Sequence, residues 1–116
     1  TLNPSSAASD VYKRQQLDGS RSPFDQLAEI VDAVGDKLDV ICEGGIHRGT
    51  HMLKALSLGA KACSGGRLYL YALAAAGQAG VERALEKYKS ELVRDMKLMG
   101  CTKIGDLNRN NLRFRK

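Results

Sequence analysis

Leu38-Asp39-Val40-Ile41-Cys42-Glu43-Gly44-Gly45-Ile46-His47-Arg48-Gly49-Thr50 decides how this chain reads. A short apolar run stops abruptly at two glycines, a basic pair follows, and a helical pattern begins at about Thr50. Leu38–Cys42 is mostly apolar and too short for a helix, so it is expected to be a strand. Backbone bare of side chains, next to a helix start and cations, suits a phosphate. A second turn of the same kind, Ser64-Gly65-Gly66-Arg67, follows the next short run, Ala60–Ser64. Two such turns after two consecutive strands are more specific than either alone. They point to a phosphate-bearing cofactor held at one end of a parallel barrel.

Outward from these turns the pattern is helical. Upstream, Ser22 is a cap, Pro23 suits the first helical position and Asp25 suits the positive helix end. Leu27, Ile30, Val31 and Val34 then form one apolar stripe, and Gly35 is the expected stop. Thr50–Leu58 reads as a helix with Leu53, Leu56 and Met52 inward, ended by Gly59. Leu68–Ala76 reads as a short helix broken at Gly77, and Gly80–Met99 as the longest helix, stopped by Gly100. In that last helix Val81, Ala84, Leu85, Tyr88, Leu92, Met96 and Met99 recur at helical spacing. The tail Thr102–Lys116 is polar, with Ile104, Leu107 and Leu112 as anchors. Strand–helix alternation with short connections implies an α/β fold with parallel strands and right-handed crossovers. Two strands do not make a stable sheet, so the segment is expected to be the end of a larger α/β structure.

Composition narrows the class. The chain has 116 residues, 43% hydrophobic, without Trp and with a formal charge of +5. The basic residues are spread over helices, with one cluster at Arg109, Arg113, Arg115 and Lys116 that reads as a solvated tail; no nucleic-acid partner is expected. Cys42, Cys63 and Cys101 are widely spaced without a CxxC pair, so a structural zinc site is not expected and a reducing, cytoplasmic setting fits. Neither a membrane-length apolar run nor a signal-peptide pattern is present.

Ser5-Ser6-Ala7-Ala8-Ser9-Asp10-Val11-Tyr12-Lys13-Arg14-Gln15 matches, at every residue, the translation of a transposase-type sequencing adapter. Residues 1–15 are therefore expected to be an unstructured adapter artefact, and 16–116 to be a piece of a longer gene.

With both turns in order, Gln16–Lys116 resembles the C-terminal part of FMN-dependent 2-hydroxy acid dehydrogenases and oxidases, the glycolate oxidase and L-lactate dehydrogenase group. The resemblance is carried by Gln16-Leu17-Asp18, Glu43–Thr50, Leu53–Ala62, Gly66-Arg67, Leu73–Gly77, Gly80-Val81-Glu82 and Met99–Thr102. It implies a (β/α)8 TIM barrel, of which this chain is the last part, about strands 7–8 and helices 7–8, where barrel phosphate sites lie. Leu68–Ala76 would be the short extra helix of such sites. The implied activity is FMN-dependent oxidation of small L-2-hydroxy acids to 2-oxo acids, and the family often forms tetramers. The substrate-contacting residues lie upstream, so the resemblance names no particular acid or electron acceptor.

Residue by residue, the family's Asp-Gly-Gly-x-Arg turn falls on Glu43, Gly44, Gly45, Ile46 and His47, and its Gly-Arg turn on Gly66 and Arg67. In the family these bind the FMN ribityl chain and phosphate. Glu43 stands where the family has aspartate and is one methylene longer. His47 stands where it has arginine and offers fewer donors, with Arg48 and Arg67 placed to compensate. The family's His-Gly-(Gly or Ala)-Arg active-site segment falls on Tyr12, Lys13, Arg14 and Gln15, inside the adapter-like stretch. No catalytic residue is therefore assigned, and the piece alone is expected to be inactive.

Other readings stay open beside this one. Isopentenyl diphosphate isomerase-like or inosine monophosphate dehydrogenase-like barrels also place glycine turns late in the barrel, and a basic anion-binding module is the non-enzymatic alternative. Glu43, His47 and His51 are spaced i, i+4, i+8, but Gly44 and Gly45 argue against the continuous helix that a metal site there would need. Tyr69 and Tyr71 read as packing residues.

Overall fold

A computed structural model describes Gly19 and residues 21–114. The adapter-like stretch 1–15, the Gln16-Leu17-Asp18 motif, Arg115 and Lys116 lie outside the described residues. α1 (Pro23–Val34) starts as its composition predicts: the Ser22 hydroxyl accepts the Asp25 amide at 3.1 Å, with Pro23 in the first turn. β1 (Ile41–Glu43) and β2 (Ala62–Ser64) pair in parallel, Ile41 opposite Ala62, Cys42 opposite Cys63 and Glu43 opposite Ser64. α2 (Gly49–Leu58) supplies the crossover that parallel pairing requires.

Both strands are shorter than the apolar runs suggest, because helix ends consume the amides that would begin the ladder. The Lys37 and Leu38 N–H groups both bond the Val34 carbonyl, so Leu38 closes α1 and stays half-exposed. The Ala60 N–H bonds Ala55 O and completes the end of α2, where Gly59 is left-handed at φ 109°. Pairing begins with the Lys61 N–H on Val40 O at 2.8 Å. Gly35, by contrast, stays right-handed at φ −65° although it does cap α1.

The two expected helices after β2 form one element, α3 (Arg67–Leu98), with a sharp break at Ala76 and Gly77, the latter at φ 57° and ψ −139°. The arms fold back on each other. A Cβ on Gly80 would lie 2.1 Å from the Ala72 carbonyl oxygen, and further down the Tyr69 and Tyr88 rings meet edge to face at 6.3 Å. α3 is thus a helical hairpin whose return arm packs on α2.

One core cluster joins Leu27, Cys42, Ile46, Ala55, Leu58, Ala60 and Tyr88, where α1, β1, α2 and the return arm of α3 meet. A second joins Leu53, Met96, Cys101 and Leu107, bringing the tail under the end of α3. Each buried leucine in these clusters contributes about 1.5–3 kcal/mol. Several expected inward positions differ. Leu85 and Ile104 are exposed, and Leu56, Met52 and Leu112 are half-buried against the clusters.

The tail is not simply solvated. Two 3-10 turns, Ile104–Asp106 and Arg109–Asn111, carry it back over α1 and α2. Arg109 pairs with Asp32 at 2.6 and 3.1 Å and also donates to the Ala28 and Leu58 carbonyls. Among the described residues no helix is long and apolar enough to cross a membrane.

The sheet has two strands among the described residues, so each has an unpaired outer edge, and Ile41 is 60% exposed on the face away from the helices. Leu70, Tyr71 and Leu73 are also exposed, along the first arm of α3, so Tyr71 is not the packing residue expected. The isolated chain is accordingly expected to self-associate and to melt without a cooperative transition. A monodisperse monomer in light scattering with a sharp calorimetric transition would contradict this.

Candidate functional site

The C-terminal ends of β1 and β2 open into one cleft of about 200 Å³, lined by Glu43, Gly44, Gly45, Ile46, His47, Gly65, Gly66, Arg67 and Leu70. All seven residues singled out from the sequence are in this lining, and they come from two turns about twenty residues apart in the chain. Parallel pairing brings them together: Glu43 and Ser64 are register partners, so the turns that follow them leave the sheet side by side. A Cβ on Gly66 would have the Glu43 Oε1 as its nearest neighbour, at 3.9 Å, which places that carboxylate across from the second turn.

The first turn depends on glycine for conformation. Gly44 and Gly45 have φ of 109° and 71°, and Gly45 has open space where a Cβ would be. Ile46 buries its side chain in the core at 3% exposure, so only its backbone faces the cleft. Its carbonyl accepts the Tyr88 hydroxyl at 2.5 Å. Burial above all, with Tyr69 and Glu91 nearby, pushes the Tyr88 phenol up to about 12, so it stays a donor throughout the neutral range.

Two helices begin at this cleft, and their N-termini differ. α2 begins at Gly49, one residue before the expected Thr50, because a distant carboxylate caps it. Glu91 accepts the Gly49 N–H at 2.9 Å and pairs with Arg48 at 3.4 Å. The Gly49 amide foremost, and then Arg48, hold the Glu91 carboxyl below the usual carboxylate range despite its burial. Beside it the Thr50 hydroxyl, and then Arg94, lower Asp95. The His47 N–H donates to His51 Nδ1 at 3.3 Å, so His51 orients the turn. α3, by contrast, starts at Arg67 behind Gly66, which has no side chain to cap it. Its positive end and first amides face the cleft.

The cationic groups divide in the same way. Arg48 pairs with Glu91 at 3.4 Å with its guanidinium largely exposed, and it is not among the residues that line the cleft. Neither Arg67 nor His47 forms an ion pair among the described residues. Glu43 ends a strand, His47 lies in the turn and His51 in the first turn of α2, and among the described residues no cluster of three metal-ligating groups forms. Cys42 and Cys63 are register neighbours whose thiols are pushed up by burial, Cys63 to about 11. They pack as small apolar groups. A larger cavity of about 610 Å³ lies between α1, α2 and the tail, lined largely by Phe24, Leu53, Leu58, Leu98, Met99 and Leu112.

Two glycine turns at the ends of adjacent parallel strands, a helix start without a side-chain cap and an arginine with no ion pair among the described residues are groups of the kind that can receive an anion. A family model described as FMN-dependent dehydrogenase matches residues 14–114. The chain belongs to that family. It is 45% identical over 94 residues to an L-lactate oxidase of Nostoc sp., covering 81% of this chain and 26% of that protein. The structure superposes with a TM-score of 0.78 on the flavin-binding domain of baker's yeast flavocytochrome b2, at 44% identity, covering 84% of this chain and 26% of that one. On the membrane-associated (S)-mandelate dehydrogenase of Pseudomonas putida the TM-score is 0.80 at 37% identity, covering 85% and 28%. The chain thus spans about a quarter of the relatives that it matches.

Sequence reading missed Tyr88 and Glu91, which hold the first turn from 42 residues away. Both lie on the apolar stripe of the long helix or beside it, but nothing local marks them as partners of the turn.

The Glu91 carboxyl has a lowered folded value, so its stabilisation is complete above the ordinary carboxylate range. It is lost as pH falls through the lowered value. Glu91→Gln is expected to flatten the acid limb, the loss of helical signal as pH falls below the ordinary carboxylate range, measured by far-ultraviolet circular dichroism against pH. An unchanged acid limb would show that the Gly49 cap carries no pH dependence. Gly49→Ala would force a Cβ to within 2.6 Å of the Tyr88 carbonyl oxygen and the Leu92 nitrogen. It is expected to abolish the α2–α3 contact, seen as loss of far-ultraviolet helical signal.

Proposed function

We propose that this chain is the closing part, strands 7 and 8 with their helices, of a (β/α)8 barrel. We propose further that its cleft holds the phosphate and ribityl end of FMN in an oxidoreductase of small L-2-hydroxy acids. The observation that carries the reading is the convergence of Glu43, Gly44, Gly45, Ile46, His47, Gly66 and Arg67 on one cleft beside an uncapped helix start. Family membership supports FMN as the ligand. The lactate and mandelate in the relatives' names are 2-hydroxy acids, which supports the substrate class. Two adjacent parallel strands with open outer edges support the barrel.

The residues fit the group. Gly45 leaves room for close approach, the α3 amides and Arg67 supply donors, and Glu43 supplies an acceptor for sugar-alcohol hydroxyls. At about 200 Å³ the cleft falls below the ~300 Å³ of a whole small-molecule site, which suits a share of a larger one. Bound FMN supplies a two-electron acceptor for oxidation of the hydroxyl-bearing carbon. Arg67 and the α3 start neutralise the phosphate, the glycine turns fix its position, and Glu43 orients the polyol chain. The family's proton-abstracting and carboxylate-binding residues would fall on residues 12–15, outside the described residues. Residues 1–15 are assigned to adapter-derived sequence, and an intact template read 5′ of the Gln16 codon is expected to encode a His-Gly-Gly-Arg-like segment instead. For the parent enzyme the reading extends to a reducing, cytoplasmic setting, with peripheral association with a membrane as the alternative, and to assembly as a homo-oligomer.

Flavin fluorescence titration tests the site. The chain is expected to bind FMN more tightly than riboflavin, which lacks the phosphate. Arg67→Ala should weaken FMN by about tenfold or more, the worth of a charge-assisted hydrogen bond, without changing riboflavin. Equal loss for both flavins would remove Arg67 from the phosphate. The chain alone is expected to turn over neither L-lactate nor glycolate, and measurable oxidation by it with added FMN would contradict the assignment of the catalytic groups upstream.

A further inference from the structure

Tyr88 stands where the two glycine turns meet. It comes from the return arm of α3, is 5% exposed, and donates its hydroxyl to the Ile46 carbonyl of the first turn. Gly65 of the second turn faces the same point. A Cβ there would lie 3.4 Å from the Tyr69 ring, 3.5 Å from the Tyr88 hydroxyl oxygen and 3.6 Å from the Ile46 carbonyl oxygen. Tyr69, two residues beyond Arg67, meets the Tyr88 ring edge to face. One hydroxyl thus touches the first turn, abuts the second and is tied through its ring to the start of α3.

Glu91 follows Tyr88 at i+3, on the same face of the helix. Tyr88 holds Ile46 by its carbonyl and Glu91 holds Gly49 by its amide, so a single helix face grips both ends of the segment 46–49. Glycine turns have many conformations to lose on ordering, and a group that orders them beforehand lowers the cost of binding.

We propose that Tyr88 is a positioning residue that sets the separation of the two glycine turns and thereby selects a phosphate-bearing flavin over its unphosphorylated counterpart. This rests on the cofactor reading above. The ring shares the core cluster with Ile46 and meets Tyr69, and the hydroxyl adds the hydrogen bond that ties Tyr88 to the backbone of the turn. Without it the Ile46 carbonyl loses its buried partner and the turn is free to drift from Arg67 and the α3 start.

The test uses the 116-residue chain with FMN and riboflavin as probes, and amide hydrogen exchange across residues 45–50. Tyr88→Phe keeps the ring and removes the hydroxyl. FMN affinity is expected to fall about five- to tenfold, the net worth of one hydrogen bond, with riboflavin unchanged and exchange at 46–49 accelerated. Gly65→Ala keeps the hydroxyl but seats a methyl against it, 3.5 Å from the Tyr88 oxygen and 3.6 Å from the Ile46 carbonyl oxygen, and is expected to lower the FMN-to-riboflavin preference in the same direction. This second variant decides the matter should Tyr88→Phe fail to fold. An equal loss for both flavins, or an unchanged preference in both variants, overturns the proposal. Should the wild-type chain bind neither flavin while its exchange protection at 46–49 shows the turns formed, the cofactor reading falls and the selection with it. Exchange then judges the brace alone: acceleration in Tyr88→Phe upholds it and no change overturns it.

Discussion

The return arm of α3 lies against the start of α2 with no side chain between them at Gly49, and the other features of this molecule follow from that contact. A Cβ at Gly49 would collide with backbone atoms of Tyr88 and Leu92, so the two helices approach as closely as backbone allows. At this distance Glu91 reaches the first amide of α2 and closes its N-terminus. A buried amide without a partner would cost about 1–3 kcal/mol, so the cap and the close approach depend on each other.

Closing one helix start gives the cleft its direction. Both α2 and α3 begin beside the glycine turns, and two open N-termini would make a diffuse positive region. Glu91 satisfies α2 and takes Arg48 with it, and His51 takes the His47 amide. The α3 start, Arg67 and the bare backbone of Gly45 are left to face the cleft, opposite the Glu43 carboxylate. Donors and one carboxylate acceptor therefore line the same small space. That set suits a ligand that carries both a phosphate and hydroxyls.

The same architecture leaves part of its sheet uncovered. The helices cover one face of β1 and β2, but Ile41 on the other face is exposed and both outer edges lack partners among the described residues. A chain that covers about a quarter of its relatives' length, and superposes on them well, would be expected to show its missing neighbours in this way. The tail behaves differently. Arg109 pins it to α1 and α2 through Asp32 and two carbonyls.

Much of this was legible in the sequence, since it depends on groups a few residues apart. The Ser22-Pro23 start of α1, the left-handed Gly59 stop, the break at Gly77 and the pairing of glycine turns with strand ends are all local chemistry. The cleft residues could be named because each turn announces itself and parallel pairing puts strand ends together. Strand limits were less legible, because the amides of Leu38 and Ala60 had already been used by helix ends. Only the tertiary structure decided which helix start is open, that Arg48 pairs with Glu91, that Arg109 is a pin, and that Tyr88 and Glu91 hold the first turn. Those facts depend on partners 42 to 81 residues apart, and no spacing rule within one element specifies which side chain will arrive from another.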